Sequence, residues 1–375
     1  MMKKSETVSS FQMAMLFLAY GTGSAVINIP APLTGAARNG AWISVLLACA
    51  AGLLLLFACL YLYRANPGLD FIEHSEKTIG RWLTLILAIP YLCAVFWMLA
   101  AIVIDIGIFF KSTMMKQTSA DLIHTLFFVL AALTARAGIE VMARMFVLLL
   151  LSMIGFIMIV LLMAAPHYHP YFLLPLMPDG IKPVLHGAYI AYGFPFAEAS
   201  LFAMMLPYVR NQDKHVLGKH MVWALLVNGV TLLASVLCSI MTEGPLAGHM
   251  KFSLFQLARL IYIQEIFERV ESVIGFSLIA GSYMKATIVL FILSKTLTRL
   301  AKLQDDRILI YPIALACLLL SVTMYRNETE FIEGVNVIWP LLNNIAFNVP
   351  LILVLTVTLF KRNWRKGRPS PAPSP

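Results

Sequence analysis

The stretch "YGTGSAVINIP", residues 20–30, interrupts an otherwise apolar run. Gly21, Thr22, Gly23 and Ser24 lie near the middle of a segment long enough to cross a bilayer. Glycine is a poor residue for a helix interior. Backbone opened in hydrocarbon is costly unless it is buried in protein or lines a cavity. The interruption therefore points to a site, with an ordinary kink packed by glycine as the competing reading.

The surroundings support a membrane setting. Of 375 residues, 60% are hydrophobic and 13% are charged. That is more apolar surface than a soluble core can hide, so an integral membrane protein is expected. The net charge of +9 is not read as a nucleic-acid footprint. Lys and Arg gather in short loops and near the C-terminus, as orientation signals do. Cys49, Cys59, Cys93, Cys238 and Cys317 sit in apolar stretches without a CxxC spacing, so neither disulfide nor metal is expected. Lys3 and Lys4, then Phe11 to Tyr20, then "GSA" resemble a secretory leader. The apolar run resumes at once with Ala25, Val26, Ile27 and Ile29, so one broken span is the better reading.

Apolar runs fall near 10–36, 41–63, 83–110, 119–135, 144–165, 184–208, 220–242, 272–297, 308–325 and 335–360, which gives ten spans. One set of alternate loops carries most of the positive charge. It includes Arg64, Lys77, Arg81, Arg136, Arg144, Arg210, Lys214, Lys219, Lys295, Arg299, Lys302 and Arg307, together with Lys3, Lys4 and the basic C-terminal run. By the positive-inside rule both termini are expected in the cytoplasm. The expectation is a single all-α transmembrane domain over 1–362, with repeats at about 10–165 and 184–360. A disordered Pro/Ser-rich tail over 363–375 would follow.

The interruption has a twin. The sixth span contains "AYIAYGFPFAEASLF", residues 188–202, where Gly193, Phe194 and Pro195 again follow a tyrosine. Spans one and six open two groups of five, and an odd number makes the second group enter from the opposite face. Matched interrupted helices in inverted halves point to a transporter-type site at mid-membrane. The helix restarting near Ser24, a candidate N-cap, and near Pro195 would offer a positive dipole end to a carboxylate. Opened carbonyls would hold an ammonium, and an amino acid carries both groups.

Lys285 lies about thirteen residues into span eight, roughly 20 Å along it. A charge there should face the bundle interior and have a partner. It can neutralise Glu198, hold a ligand carboxylate, or stand where a transporter of this architecture holds sodium. Glu198 falls in the first turn of the restarted sixth helix and can carry a proton, bind an amine or pair with a cation. Tyr91 and Val95 are placed to line a central cavity or to form ordinary bundle core. Asp105 is read as an interfacial acid near the outer end of span three. Arg136, Glu140 and Arg144 suit a structural cluster at the turn between spans four and five. His167 and His169 lack the further ligands a metal needs. Residues 252–268 read as an amphipathic helix over the outer mouth. Walker, GxSxG, HExxH and dinucleotide fingerprints are all missing, so neither an enzyme nor a cofactor is expected.

From about residue 5 to 362 the chain resembles the endospore germination permease family, the B subunits of nutrient germinant receptors. That family belongs to the amino acid–polyamine–organocation transporter architecture. The resemblance is carried by "VSSFQ" (8–12), "IPAPLTGAARNGAWISVLLA" (29–48), "LP" (206–207) and "FERVESV" (267–273), in that order and spacing. It implies a sensor in the inner membrane of an endospore, working with A and C subunits. It implies a pocket for a small nutrient, commonly an amino acid, at Gly21 to Ser24, Tyr91, Val95, Gly193, Phe194 and Lys285. Lys285 stands at a position that is neutral in some relatives, which makes an acidic germinant conceivable. The alternative is a secondary transporter for an amino acid or organic cation, coupled to protons through Glu198.

Overall fold

A computed structural model describes residues 6–261 and 270–366, and the only strand-like pairing among them is a single bridge. Helix α1 (Ser10–Thr22) begins at a capping box: Ser9 accepts a bond from the Gln12 amide, and the Gln12 side chain accepts one from the Ser9 amide. The "VSSFQ" stretch thus defines where the first span starts. The bridge anchors the segment before it. The Val8 amide donates to the Tyr208 carbonyl at 2.9 Å, and the Arg210 amide donates to the Val8 carbonyl at 3.0 Å.

Helix α1 stops at Thr22, and Gly23 (φ 11°, ψ −115°) leaves helical geometry. The chain restarts as α2 (Ala25–Asn28) and α3 (Pro30–Ala37). Ser24 occupies the N-cap position of α2, but its side chain makes no capping bond. Capping residues normally hold an extended backbone, whereas Ser24 sits at φ −83°, ψ −8°. The cap expected from sequence is therefore positional only.

Helices α4 (Ala41–Ala65), the short α5 (Phe71–Ile79), α6 (Arg81–Thr113), α7 (Ala120–Ala137) and α8 (Ile139–Met163) complete the first group. Helix α9 (Ile181–Ala191) opens the second and is interrupted at Phe194, whose φ −147° and ψ 117° are extended. A tightly wound stretch, Ala197–Tyr208, completes that span. Then come α10 (Leu217–Glu243), α11 (Ser253–Leu260), α12 (Glu271–Ala301) and α13 (Ile310–Thr323). The last span is α14 (Glu328–Glu333), α15 (Trp339–Asn343) and α16 (Val349–Lys366), with wider π-type turns on either side of α15.

Among the described residues, nine helical stretches are long and apolar enough to cross a membrane. Helix α13 is apolar but has 14 residues, about 21 Å at 1.5 Å per residue. It is the ninth of the ten expected spans and the shortest. Helix α16 runs four residues past the expected domain limit, to Lys366. The rest of the tail, Lys3, Lys4, and residues 262–269 of the expected outer helix and of "FERVESV" lie outside the described residues. Only α11 represents that outer helix, with Leu254, Phe255, Leu257 and Ala258 turned into the bundle.

Helix burial sorts the spans into layers. In the apolar windows of α1 and α12, 83% of residues are buried, against 33% in α7 and α8. Helices α1 and α12 therefore form the centre and α7 and α8 the lipid side. The turn between α7 and α8 is held from below. Glu6 accepts the Ile139 amide at 3.0 Å and pairs with Arg307 at 2.5 Å, while Glu140 accepts the Thr7 amide at 3.1 Å. The expected structural role of Glu140 is visible here, and Arg144 lies 3.9 Å from it.

Candidate ligand-binding site

The two interruptions meet at Lys285. A methyl group placed on Gly23 would lie 3.3 Å from Lys285 Cβ, and Lys285 Nζ sits 3.8 Å from the centre of the Phe194 ring. Spans one, six and eight thus converge on one side chain. Lys285 is 1% exposed and its ammonium pairs with Glu198 Oε2 at 2.5 Å. The other carboxylate oxygen accepts the Trp339 indole N–H at 2.9 Å. Tyr20 donates its hydroxyl to the Glu198 carbonyl at 3.2 Å. Among the three roles open to Lys285, the structure shows neutralisation of Glu198. A charge this deep is tolerated because both ions are paired and further bonded.

The interrupted backbone is less bare than the sequence suggests. The Val26 carbonyl accepts from Ser235 at 2.8 Å, and the Gly193 carbonyl accepts from Asn343 at 3.0 Å. Tyr192 is tied to Asn344 and Asn348 at 3.0 and 3.1 Å. Side chains of α10 and the last span thus satisfy groups expected to face a ligand, as a low-dielectric setting requires.

Beside the ion pair lies a cavity of about 80 Å³, room for roughly five to eight waters. Ser24 and Asn28 line it from the first span, and Phe194 and Glu198 from the sixth. Trp97, Met98, Ala101 and Asp105 come from α6, Lys285 from α12, and Phe331, Asn336 and Trp339 from the last span. Trp97 and Trp339 are stacked, with centroids 4.8 Å apart and planes within 13°. The π-type turns flanking α15 set Trp339 at the end of this wall.

Of the residues singled out from sequence, Ser24, Phe194, Glu198 and Lys285 line this cavity. Gly21, Thr22, Gly23, Tyr91, Val95 and Gly193 do not. Gly21 packs against Asn228, and Gly193 against Pro340. Gly23 touches the Gly281 carbonyl region of α12. Thr22 is buried with its hydroxyl unpartnered. Tyr91 stands edge-on to Phe347, 5.1 Å between centroids, and Val95 is fully buried in the core. Asp105 is placed differently from its interfacial reading. It lies eight residues, about 12 Å, before the end of α6, and accepts a bond from the Asn28 side chain. Asn28, Trp97, Asn336 and Trp339 were missed. The signal that could have found the last span was polar: "NNIAFN" at 343–348 puts three asparagines in a membrane helix, which is costly without a role.

Comparison with known proteins gives this arrangement a family. The family model described as "Spore germination protein" matches residues 7–329. The chain belongs to that family of spore germination proteins. Among curated relatives, spore germination protein KB of Bacillus subtilis (strain 168) is 28% identical over 368 residues, covering 96% of this chain and 97% of the relative. Spore germination protein XB of Bacillus anthracis is 21% identical over 366 residues, covering 96% and 100%. Solved structures share the fold. MhsT in complex with L-phenylalanine has a TM-score of 0.69 at 15% identity, covering 97% of this chain and 91% of MhsT. Mhp1, a nucleobase-cation-symport-1 family transporter, has a TM-score of 0.67 at 15% identity, covering 96% and 80%. The chain is therefore an all-α polytopic membrane protein of inverted-repeat transporter architecture, permease-like and not an enzyme.

Proposed function

We propose that this chain is the B subunit of a germinant receptor. It binds a small nutrient, an amino acid in this reading, in the cavity between the interrupted spans. It signals through A and C subunits in the inner membrane of an endospore, with both termini cytoplasmic. The observation that carries the reading is the convergence of spans one, six, eight and ten on one cavity beside the buried Lys285–Glu198 pair, in a chain of the germination family. A cavity of this size suits a small amino acid. The fold neighbour MhsT, solved with L-phenylalanine, supports the ligand class.

Ligand acts by differential affinity. If one arrangement of the bundle holds the nutrient about 100-fold more tightly than the other, occupancy shifts the balance by about 2.7 kcal/mol. The partner subunits would read that shift. Spores carrying Gly23→Leu test the pocket. The new side chain has backbone oxygens of Gly281 and Ala19 within 3.4 Å of its first carbon, so it must displace the break or α12. Response to at least one nutrient should fall by tenfold or more. Unchanged sensitivity to every nutrient counts against the pocket. A second reading, a proton-coupled amino-acid or organic-cation transporter, is favoured by the transporter fold and the buried carboxylate of Glu198. Ligand-dependent accumulation by the isolated protein in vesicles would decide for it.

A further inference from the structure

We infer that Asp105 is the counter-charge for a ligand ammonium, so that the cavity selects small molecules carrying a primary amine. This rests on the reading that the cavity is the ligand site. The charged residues lining it are Asp105, Glu198 and Lys285. Lys285 and Glu198 neutralise each other at 2.5 Å. That leaves the wall with one acid more than it has bases. Lys251 and Lys285 both act on Asp105 electrostatically, but each is paired with an acid of its own, Glu328 and Glu198. The side-chain bond that Asp105 accepts comes from Asn28, a neutral amide and not a counter-charge. A cation in the cavity completes the balance, and a carboxylate ligand without an amine adds to the imbalance.

The rest of the cavity favours an organic cation over an inorganic one. The stacked faces of Trp97 and Trp339 and the Phe194 ring supply an apolar wall. Such a wall favours carbon-bearing ammonium groups. The oxygen-bearing side chains of Ser24, Asn28 and Asn336 line the same cavity, so titration with sodium and potassium decides between an organic and an inorganic cation. This turns the expectation drawn from Lys285 around. Because Lys285 is already paired, the cavity is not suited to an acidic germinant.

The test uses the full-length protein in nanodiscs and follows tryptophan fluorescence, to which the Trp97–Trp339 stack should respond. Four probes of similar size are titrated: L-alanine, ethylamine, propionate and glycerol, with potassium and sodium chloride as inorganic arms. The two amines should saturate, and propionate and glycerol should bind at least about tenfold more weakly. Asp105→Asn keeps an oxygen for Asn28 and removes only the charge. It should weaken both amines at least about tenfold while leaving the unfolding temperature near that of wild type. Equal binding of ethylamine by Asp105→Asn, tighter binding of propionate or glycerol than of ethylamine, or saturation by potassium or sodium alone each overturns the inference. These outcomes leave the receptor reading intact, because that reading falls on unaltered nutrient sensitivity of Gly23→Leu spores.

Discussion

Lys285→Ala is expected to lower the stability of the purified protein by about 3–5 kcal/mol, because it leaves the Glu198 carboxylate buried and uncompensated. Both side chains are at most 2% exposed, and water from the neighbouring cavity replaces a full counter-charge only in part. The Trp339 N–H would remain as one donor to Glu198, which is too little for a full charge in a low-dielectric interior. The informative companion is the double variant Lys285→Met with Glu198→Gln. It removes both charges and keeps an acceptor for Trp339. Its stability should return to within about 1–2 kcal/mol of wild type, since a buried pair is often no better than a packed neutral substitute. Thermal unfolding in detergent of wild type, Lys285→Met, Glu198→Gln and the double variant measures this. Additive losses, with the double variant the least stable, would show that the two residues do not act as a pair. Germinant response should be lost in the single variant and stay lost in the double one. The ion pair ties span six to span eight next to the cavity, and a neutral pair holds the two spans together more weakly.

Gly281→Ala is the second change with a large expected effect. Its methyl carbon would stand 2.3 Å from the Gly23 carbonyl oxygen and 2.6 Å from the carbonyl carbon. Both obstacles are backbone, so no rotamer change relieves them. Either α12 or the break in the first span has to move, which costs about 1–3 kcal/mol as overpacking. The contact is also where Gly23 approaches α12 opposite Lys285, so the displacement falls on the site. Nutrient response should drop at least about tenfold even where the protein still inserts and accumulates. Gly155→Ala supplies the control. Nothing lies within 4 Å of the added carbon there, and its effect should stay within about 0.5 kcal/mol. Equal germination of spores carrying the two variants would mean that the close approach of α1 and α12 has no bearing on sensing.

Much of this protein was legible before its structure. Apolar run lengths gave the spans, because a helix crossing hydrocarbon must satisfy its own backbone and therefore shows its length in composition. The interruptions at Gly23 and Phe194 were visible because glycine and proline weaken a helix wherever they stand. Lys285 and Glu198 stood out because a charge deep in a span needs a reason. The end of α16 and the depth of Asp105 were misjudged. Composition marks helix ends only loosely: α6 runs on to Thr113 and α16 to Lys366, and Asp105 found its partner, Asn28, on another span.

Sequence by itself determined a helical membrane bundle, its two interruptions and the ions that had to be buried, because those follow from local backbone chemistry and the cost of polar groups in lipid. Only the tertiary structure decided which groups meet. The rotation and crossing of distant helices brought Lys285 against Glu198 and Phe194, closed the Val26 and Gly193 carbonyls with Ser235 and Asn343, and set Asp105 beside Asn28. Those pairings join residues 77 to 209 positions apart in the chain. No periodicity along one helix fixes which face of another it will touch.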